Sequence, residues 1–327
     1  MERAFITGVS GQDGSFLADL LLAEGLEVYG LIRRKADSSG WRIRHLAGNP
    51  AFTLVDGDML DPAALIRELK GIRPRYVFNL AAQSFVPFSW QAPSATSQVT
   101  ALGVLHILEA IRAVDPSIRF YQASSSEMFG NAPEAPQNES TPFNPRSPYG
   151  VSKVFGHHIT VNYRESYGMF ACSGILFNHE SERRGLQFVT RKVTHAAALI
   201  KRGLEKKVAL GNLDSSRDWG YAPDYVQAMW MMLRADSPGD YVIASGKSHT
   251  VRELCQAAFG AAGLDWQEHV EVDERFKRPA ELYALLGDAG KAKKELGWEP
   301  EVSFGQMVEK MLAADLKRVD EGITWET

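Results

Sequence analysis

The sequence is poor in cysteine: Cys172 and Cys255 are the only two in 327 residues, far apart and without CxxC spacing. That excludes a disulfide framework and a thiolate zinc site, and a reducing cytoplasm is the expected setting. No unbroken apolar run reaches the roughly 20 residues of a membrane span. The apolar stretch at 4–9, behind Met1-Glu2-Arg3, is too short for an export signal. Charge of one sign is also missing, since 36 Lys+Arg face 40 Asp+Glu for a net −4. Neither nucleic acid nor an anionic membrane is therefore expected as a partner, although a local cationic pocket remains compatible. Glycine and proline, at 28 and 15, are not in the excess that marks disordered or fibrous chains. What is present is a globular composition, 45% hydrophobic and 23% charged, at about twice the ~150-residue domain prior.

Short apolar runs alternate with amphipathic segments through the first half. The pattern predicts strands at 4–7, 27–32, 52–55, 76–80 and 118–123, and helices at 14–24 and 104–114, with a further helix opening at Asp61-Pro62. A helix at 149–167 and a strand at 170–177 follow. That is the signature of α/β architecture, a doubly wound parallel sheet of Rossmann type with a smaller C-terminal α/β substrate domain. The division expected is 1–178 for the dinucleotide-binding domain and 179–327 for most of the substrate domain, with 216–245 returning to the first. Charged loops are expected at 180–185, 214–219 and 275–281, and a closing amphipathic helix at 304–319.

Between the first strand and helix lies Thr7-Gly8-Val9-Ser10-Gly11-Gln12-Asp13-Gly14. Gly8, Gly11 and Gly14 permit a tight turn and close backbone approach to a pyrophosphate, whose charge the helix N-terminus attracts. Enzymes that use NAD place a carboxylate after the second strand for the ribose 2′-hydroxyl; here Arg33-Arg34-Lys35 follow instead. Guanidinium groups pair with a 2′-phosphate that a carboxylate would repel, so NADP is the expected cofactor. Asp58, after the third strand, fits an adenine contact and equally a surface turn.

Tyr149 and Lys153 stand at i and i+4 on one helix face. An ammonium beside a phenol favours the phenolate, so Lys153 is expected to lower the Tyr149 pKa for proton exchange with a substrate hydroxyl. Ser124-Ser125-Ser126-Glu127 closes the preceding strand, at the sheet end where open α/β folds present reacting groups. Glu127 there is either a second acid/base group, more than a simple alcohol dehydrogenase needs, or a surface glutamate. The tandem His157-His158 lacks a third ligand at useful spacing and no GxSxG elbow occurs, so metal and hydrolase readings have no support.

The glycine loop, Asn79-Leu80-Ala81-Ala82-Gln83-Ser84, the Tyr149/Lys153 pair and Arg278-Pro279-Ala280-Glu281 resemble the extended short-chain dehydrogenase/reductases that act on nucleotide sugars. Within that group, Gly11-Gln12-Asp13-Gly14, Phe120-Tyr121-Gln122-Ala123-Ser124, residues 145–150, 174–181 and 188–192, and Arg217-Asp218-Trp219-Gly220 look like the GDP-mannose 4,6-dehydratase family. The resemblance spans nearly the whole chain. It implies an NADP-dependent dehydration of GDP-α-D-mannose to GDP-4-dehydro-6-deoxy-D-mannose, by internal hydride transfer from C4 to C6. A reductase or epimerase of a related nucleotide sugar is the alternative.

Carried across, the resemblance makes Tyr149 the base for the C4 hydroxyl. Lys153 then binds the nicotinamide ribose, Ser125 hydrogen-bonds O4, and Glu127 handles the C5 proton. It places Gly8, Gly11, Gln12, Asp13, Gly14, Arg33, Arg34, Asp58, Met59, Leu80, Ala81, Ala82, Ser84, His179 and Arg184 with Tyr149 and Lys153 around the cofactor. Ser84, Asn178, Val189, Lys192, Arg217, Arg278 and Glu281 join Ser125 and Glu127 around the substrate. By themselves, Arg217 and Arg278 suit a diphosphate or solvated loops equally. The family also implies a homotetramer, or a homodimer, with the 33–35 loop reaching a neighbour. Two departures stand out. Serine at 125 replaces the usual threonine but keeps the hydroxyl, and Ser126 replaces the aspartate that often precedes the glutamate in dehydratases of other sugar nucleotides. Glu127 must then also serve the departing C6 hydroxyl, directly or through a hydroxyl relay.

Overall fold

The computed structural model describes residues 1–33, 40–273, 275 and 285–323. In chain order its strands are β1 Arg3–Thr7, β2 Glu27–Ile32, β3 Phe52–Asp56, β4 Tyr76–Asn79, β5 Arg119–Ser125, β6 Ala171–Leu176, β7 Asn178–Glu180, β8 Val208–Leu210, β9 Ser216–Tyr221, β10 Asp240–Ile243, β11 Ser248–Thr250 and β12 Val270–Val272. Seven of them form one parallel sheet in the order β10-β6-β5-β4-β1-β2-β3.

Helices cover both faces, which is why β1, β4 and β6 read as continuous apolar runs rather than alternating ones. Successive side chains point to opposite faces. Ile6, Phe78 and Tyr121 pack with Leu17, Leu21, Met229 and Trp230, whereas Phe5, Val77 and Phe120 pack with Leu65, Leu69, Ile107 and Ile111 on the other side. The strand order reverses between β1 and β4, and the crevice beyond their C-terminal ends is where such sheets bind ligands.

Helix Ala222–Arg234 packs on helix Gln12–Ala23, and β10 extends the main sheet beside β6. The stretch before them does not follow: β9, expected as part of a charged loop, pairs with β7 and β11 in a three-stranded sheet. Its Asp218 and Trp219 are buried, so the charge that reads as solvent-facing is turned inward. Helices Val189–Lys201, Val251–Ala262 and Phe304–Asp320 build a second core from Val193, Ala197, Leu254, Phe259, Met307 and Met311.

One helical segment, 93–114, is long and apolar enough to cross a membrane by length and composition. Its apolar side is packed in the core against the helices Pro62–Ile72 and Pro148–Tyr167. A π turn at Gln98–Leu102 interrupts it, an irregularity that the periodicity of 104–114 gives no sign of.

Candidate active site

A single cleft of about 1780 Å³ runs from the glycine loop across the ends of β1, β4 and β5 to the three-stranded sheet. Every expected site residue that the structure describes lines it. Arg34, Arg278 and Glu281 lie outside the described residues.

The dinucleotide end is shaped by glycine. Gly8 adopts φ +72°, and a β-carbon there would meet the Leu80 and Ala81 backbone at 2.9 Å. A β-carbon on Gly14 would lie 2.3 Å from Gly8 O. The loop therefore folds onto itself and against the 80–82 segment, leaving the first-turn N–H groups of helix Gln12–Ala23 to face the cleft, as a bound pyrophosphate requires. Thr7 fixes the opposite wall: its Oγ1 accepts from Leu80 N at 3.2 Å and Ala81 N at 3.1 Å while donating to Asn79 Oδ1 at 2.6 Å. Ala82 and Ser84 continue that wall. Arg33 is exposed and lines the cleft just after β2. Asp58 lines the cleft with Met59 and also closes its own turn by accepting from Leu60 N at 2.9 Å.

Asp13 and His179 form a half-buried pair across the cleft floor. His179 Nδ1 stands 2.7 Å from Phe177 O and Nε2 stands 2.9 Å from Asp13 Oδ2. Both neighbours only accept, so both ring nitrogens carry protons and the ring is an imidazolium. Burial alone would raise the Asp13 carboxyl, but the charge and hydrogen bond of His179 hold it down at about 2. Burial likewise opposes charging of His179, and Asp13 overcomes it, raising the imidazole pKa. Gln12 ties the pair to its surroundings, donating to Asp13 Oδ1 and His179 O at 3.0 Å each and accepting from Ser181 Oγ at 2.8 Å. Arg184 pairs with Glu180 at 2.9 Å and lies over the Phe188 ring.

At the centre, Ser147 caps helix Pro148–Tyr167 by accepting from Gly150 N at 3.0 Å. Gly150 lets that helix press against the Glu127 carbonyl, since a β-carbon would come within 2.7 Å of it. The contact brings Tyr149 to the end of β5. There its hydroxyl hydrogen-bonds Ser125, whose Oγ also accepts from Glu127 N at 3.2 Å. Lys153 is buried, donates from Nζ to Ala123 O at 2.7 Å and sits 5.6 Å from the centre of the Tyr149 ring. Burial pushes its ammonium down to about 8.

The expectation that Lys153 lowers the Tyr149 pKa is not met in this pocket. Burial dominates and raises the phenol, with the Ser125 hydrogen bond pulling only partly back. The i, i+4 spacing correctly places both side chains on one face, but spacing carries no measure of desolvation. Behind them runs a buried chain that motif reading did not reach. Asn79 Nδ2 donates to Gln122 Oε1 at 2.8 Å, and Gln122 Nε2 donates to the same Ala123 carbonyl that holds Lys153. Ser124 Oγ meets His157 Nδ1 at 3.2 Å, and burial pushes that imidazole down to about 4.

At the far end stand Asn178 on β7, Val189 at the start of its helix, Lys192 and Arg217. Lys192 Nζ donates to Ala209 O at 2.7 Å, and Arg217 Nη1 donates to Ser216 O at 2.6 Å. Arg217 thus stands near the start of the central strand of the three-stranded sheet, not on a solvated loop.

A doubly wound parallel sheet with a serine, a tyrosine and a lysine at one strand end defines an extended short-chain dehydrogenase/reductase. RMD from Pseudomonas aeruginosa complexed with NADPH superposes at a TM-score of 0.82 and 26% identity, covering 97% of this chain and 100% of that one. A model of the family described as GDP-mannose 4,6 dehydratase matches residues 5–311. The chain is 51% identical to GDP-mannose 4,6 dehydratase 1 of Arabidopsis thaliana, over 96% of this chain and 90% of that protein. It is 47% identical to GDP-mannose 4,6-dehydratase of Yersinia enterocolitica, over 98% and 95% respectively. The chain belongs to the GDP-mannose 4,6-dehydratase family.

Proposed function

We propose that this chain dehydrates GDP-α-D-mannose to GDP-4-dehydro-6-deoxy-D-mannose with NADP as its tightly held cofactor. The observation that carries the reading is the convergence of Ser125, Glu127, Tyr149 and Lys153 at the end of β5, in the same cleft as the glycine loop. The glycine cradle and the absence of a carboxylate at position 33 suit a phosphorylated dinucleotide.

Held by the glycine loop and Lys153, NADP would supply the hydride acceptor for C4 of the hexose and the hydride donor for C6, so that no reductant would be consumed. Tyr149 accepts the O4 proton. It does so as the phenolate, which the Ser125 hydrogen bond favours and burial opposes. Ser125 Oγ orients O4, and Lys153 holds the ribose side. The C4 ketone acidifies C5–H, Glu127 removes that proton, and hydroxide departs from C6 with that proton from Glu127, leaving as water; the proton returned to C5 is balanced by the one that Tyr149 took from O4. Lys192, Val189, Asn178 and Arg217 hold the GDP portion, joined by Arg278 and Glu281, while His179 and Arg184 face the cofactor.

A homotetramer, or a homodimer at least, is the assembly we propose. Val151 and Phe155 leave apolar surface exposed on the Tyr149 helix, as Trp90 does on the short helix Val86–Gln91 packed against it, and such surface suits a helix-to-helix contact. Two buried thiols suit a cytoplasmic setting.

Incubation of purified protein with GDP-mannose and catalytic NADP, without net reductant, is expected to give a product lighter by one water. An unchanged mass under conditions where GDP-mannose binds would overturn the reading. Glu127→Gln is expected to stop after C4 oxidation, with NADPH absorbance accumulating on the protein. Full turnover by that variant would remove Glu127 from the mechanism.

A further inference from the structure

Behind the glycine loop lies a group of arginines, and one of them differs from the rest. Arg183 pairs with Asp19 at 2.8 Å, Arg184 with Glu180 at 2.9 Å, and Arg191 with Asp315. Arg42, on the turn Trp41–Leu46, has no carboxylate partner among the described residues. Its Nε donates to Arg183 O at 2.6 Å and its Nη1 to Ser10 O at 3.4 Å, and its guanidinium lies 4.5 Å from the centre of the Trp41 ring. Arg318, from the closing helix, lies over the same ring at 5.4 Å. Burial, with Arg191, Arg184 and Arg183 close by, pushes Arg42 down to about 10, so it stays charged.

A guanidinium carries five N–H donors. Two are directed at carbonyls and the remainder border the cleft beside Ser10 and Gly11. Three arginines act against this charge and Asp13 favours it, and an anion from the ligand would balance the excess. The pyrophosphate is already served by the N–H groups of the helix N-terminus. Arg42 lines the cleft together with Arg33, Gly40 and Arg44, which flank the segment that follows β2, where the adenosine ribose lies in doubly wound sheets.

We infer that Arg42 is a binding residue for the ribose 2′-phosphate and a determinant of NADP over NAD. The inference rests on the NADP reading above and names a residue that the basic run at 33–35 does not include. Arg42 is clamped by two carbonyls and an indole, so little side-chain freedom is lost on binding, whereas Arg33 is exposed.

Affinities for NADP, NAD and 2′,5′-ADP are measured by titration calorimetry on the unmodified protein and on Arg42→Met, which keeps an apolar stem over Trp41. The expected result is a loss of about tenfold to a hundredfold for NADP and 2′,5′-ADP, with NAD unchanged. Equal weakening of NADP and NAD would assign Arg42 to the pyrophosphate or to loop folding and overturn the inference, as would no change for any ligand. Should the unmodified protein itself bind NAD as well as NADP, the cofactor reading fails first and this inference with it. If Arg42→Met does not fold, Arg42→Lys keeps the charge without the fork; a selective loss for NADP, smaller than for the methionine variant, is expected, and an unchanged ratio of NADP to NAD affinity would overturn the proposal.

Discussion

The two halves of the molecule satisfy their buried backbone by different means. In the dinucleotide half, parallel strands pair edge to edge, and neutral side chains such as Thr7 and Gln122 add bonds to main chain. In the sugar-nucleotide half the strands are mostly three residues long, and carboxylates take over what a sheet would do. Asp218 accepts from Ser245 N at 2.8 Å, Gly246 N at 3.0 Å and Gly287 N at 3.3 Å. Asp224 accepts from Glu301 N and Val302 N at 3.0 Å each. Asp315 takes Arg191 Nε at 2.8 Å and Thr194 Oγ1 at 2.8 Å, deep in the second core. A regular sheet spreads its cohesion over many bonds, each worth about 1 kcal/mol net. Point charges concentrate it, and a region built on them fails one residue at a time.

The sharpest way to break this contrast is Asp315→Ala. Arg191 and Asp315 are both 0% exposed, so the substitution strands a buried guanidinium. Removing one partner of such a pair costs roughly 3–5 kcal/mol. The damage should reach the cleft, because Arg191 Nη1 also donates to the carbonyls of Glu182 and Arg184 at 2.9 Å. Urea unfolding is expected to show a matching loss, with amide protection in helix Val189–Lys201 vanishing before that of β1, β4 and β5. A loss under about 1 kcal/mol would mean that the pair is dispensable and the contrast false. The double change Arg191→Met with Asp315→Leu should recover part of the loss, since both fully buried charges are then removed together, while Arg318, 3.7 Å from Asp315, still loses that carboxylate.

The same contrast decides how much was legible in the amino-acid order. The dinucleotide half writes its structure locally: apolar runs bounded by Gly25 and Asp61-Pro62 mark elements, and three glycines mark a phosphate loop because only glycine fits where backbone meets backbone. Tyr149 and Lys153 were legible because one helix carries both. The sugar half writes its structure through distant partners. Arg217-Asp218-Trp219 reads as a charged loop because the groups that bury Asp218 lie 27 and 69 residues further along the chain. Arg42 gave no signal either, since its meaning depends on Arg183 and Ser10 being brought beside it. The upward shift of the Tyr149 phenol depends on burial, which no spacing encodes.

Gly14→Ala tests the local half at its tightest point. The added β-carbon would meet Gly8 O at 2.3 Å and Val9 Cα at 2.7 Å, both backbone atoms that cannot rotate away. Overpacking of this kind costs about 1–3 kcal/mol, and the strain falls on the loop that holds the pyrophosphate. Dinucleotide affinity should drop more than tenfold while GDP binding at the other end of the cleft persists. Equal loss of both would show that the two ends are not held independently.

The smallest effect is expected at Asp61, where the dinucleotide half also relies on a carboxylate, but an exposed one. Asp61 Oδ1 accepts from Ala64 N at 3.0 Å, capping helix Pro62–Ile72 behind Pro62. Water can replace this bond when the side chain is cut back. The core beneath, Leu65 and Leu69 against Ile107 and Ile111, stays intact. Asp61→Ala should therefore cost about 1 kcal/mol, readable as a small shift in the urea midpoint with an unchanged slope. It should leave dinucleotide affinity alone. If it instead cost as much as Asp315→Ala, then carboxylates would matter equally wherever they sit. Burial, rather than the number of hydrogen bonds a carboxylate accepts, would no longer explain why the two halves differ.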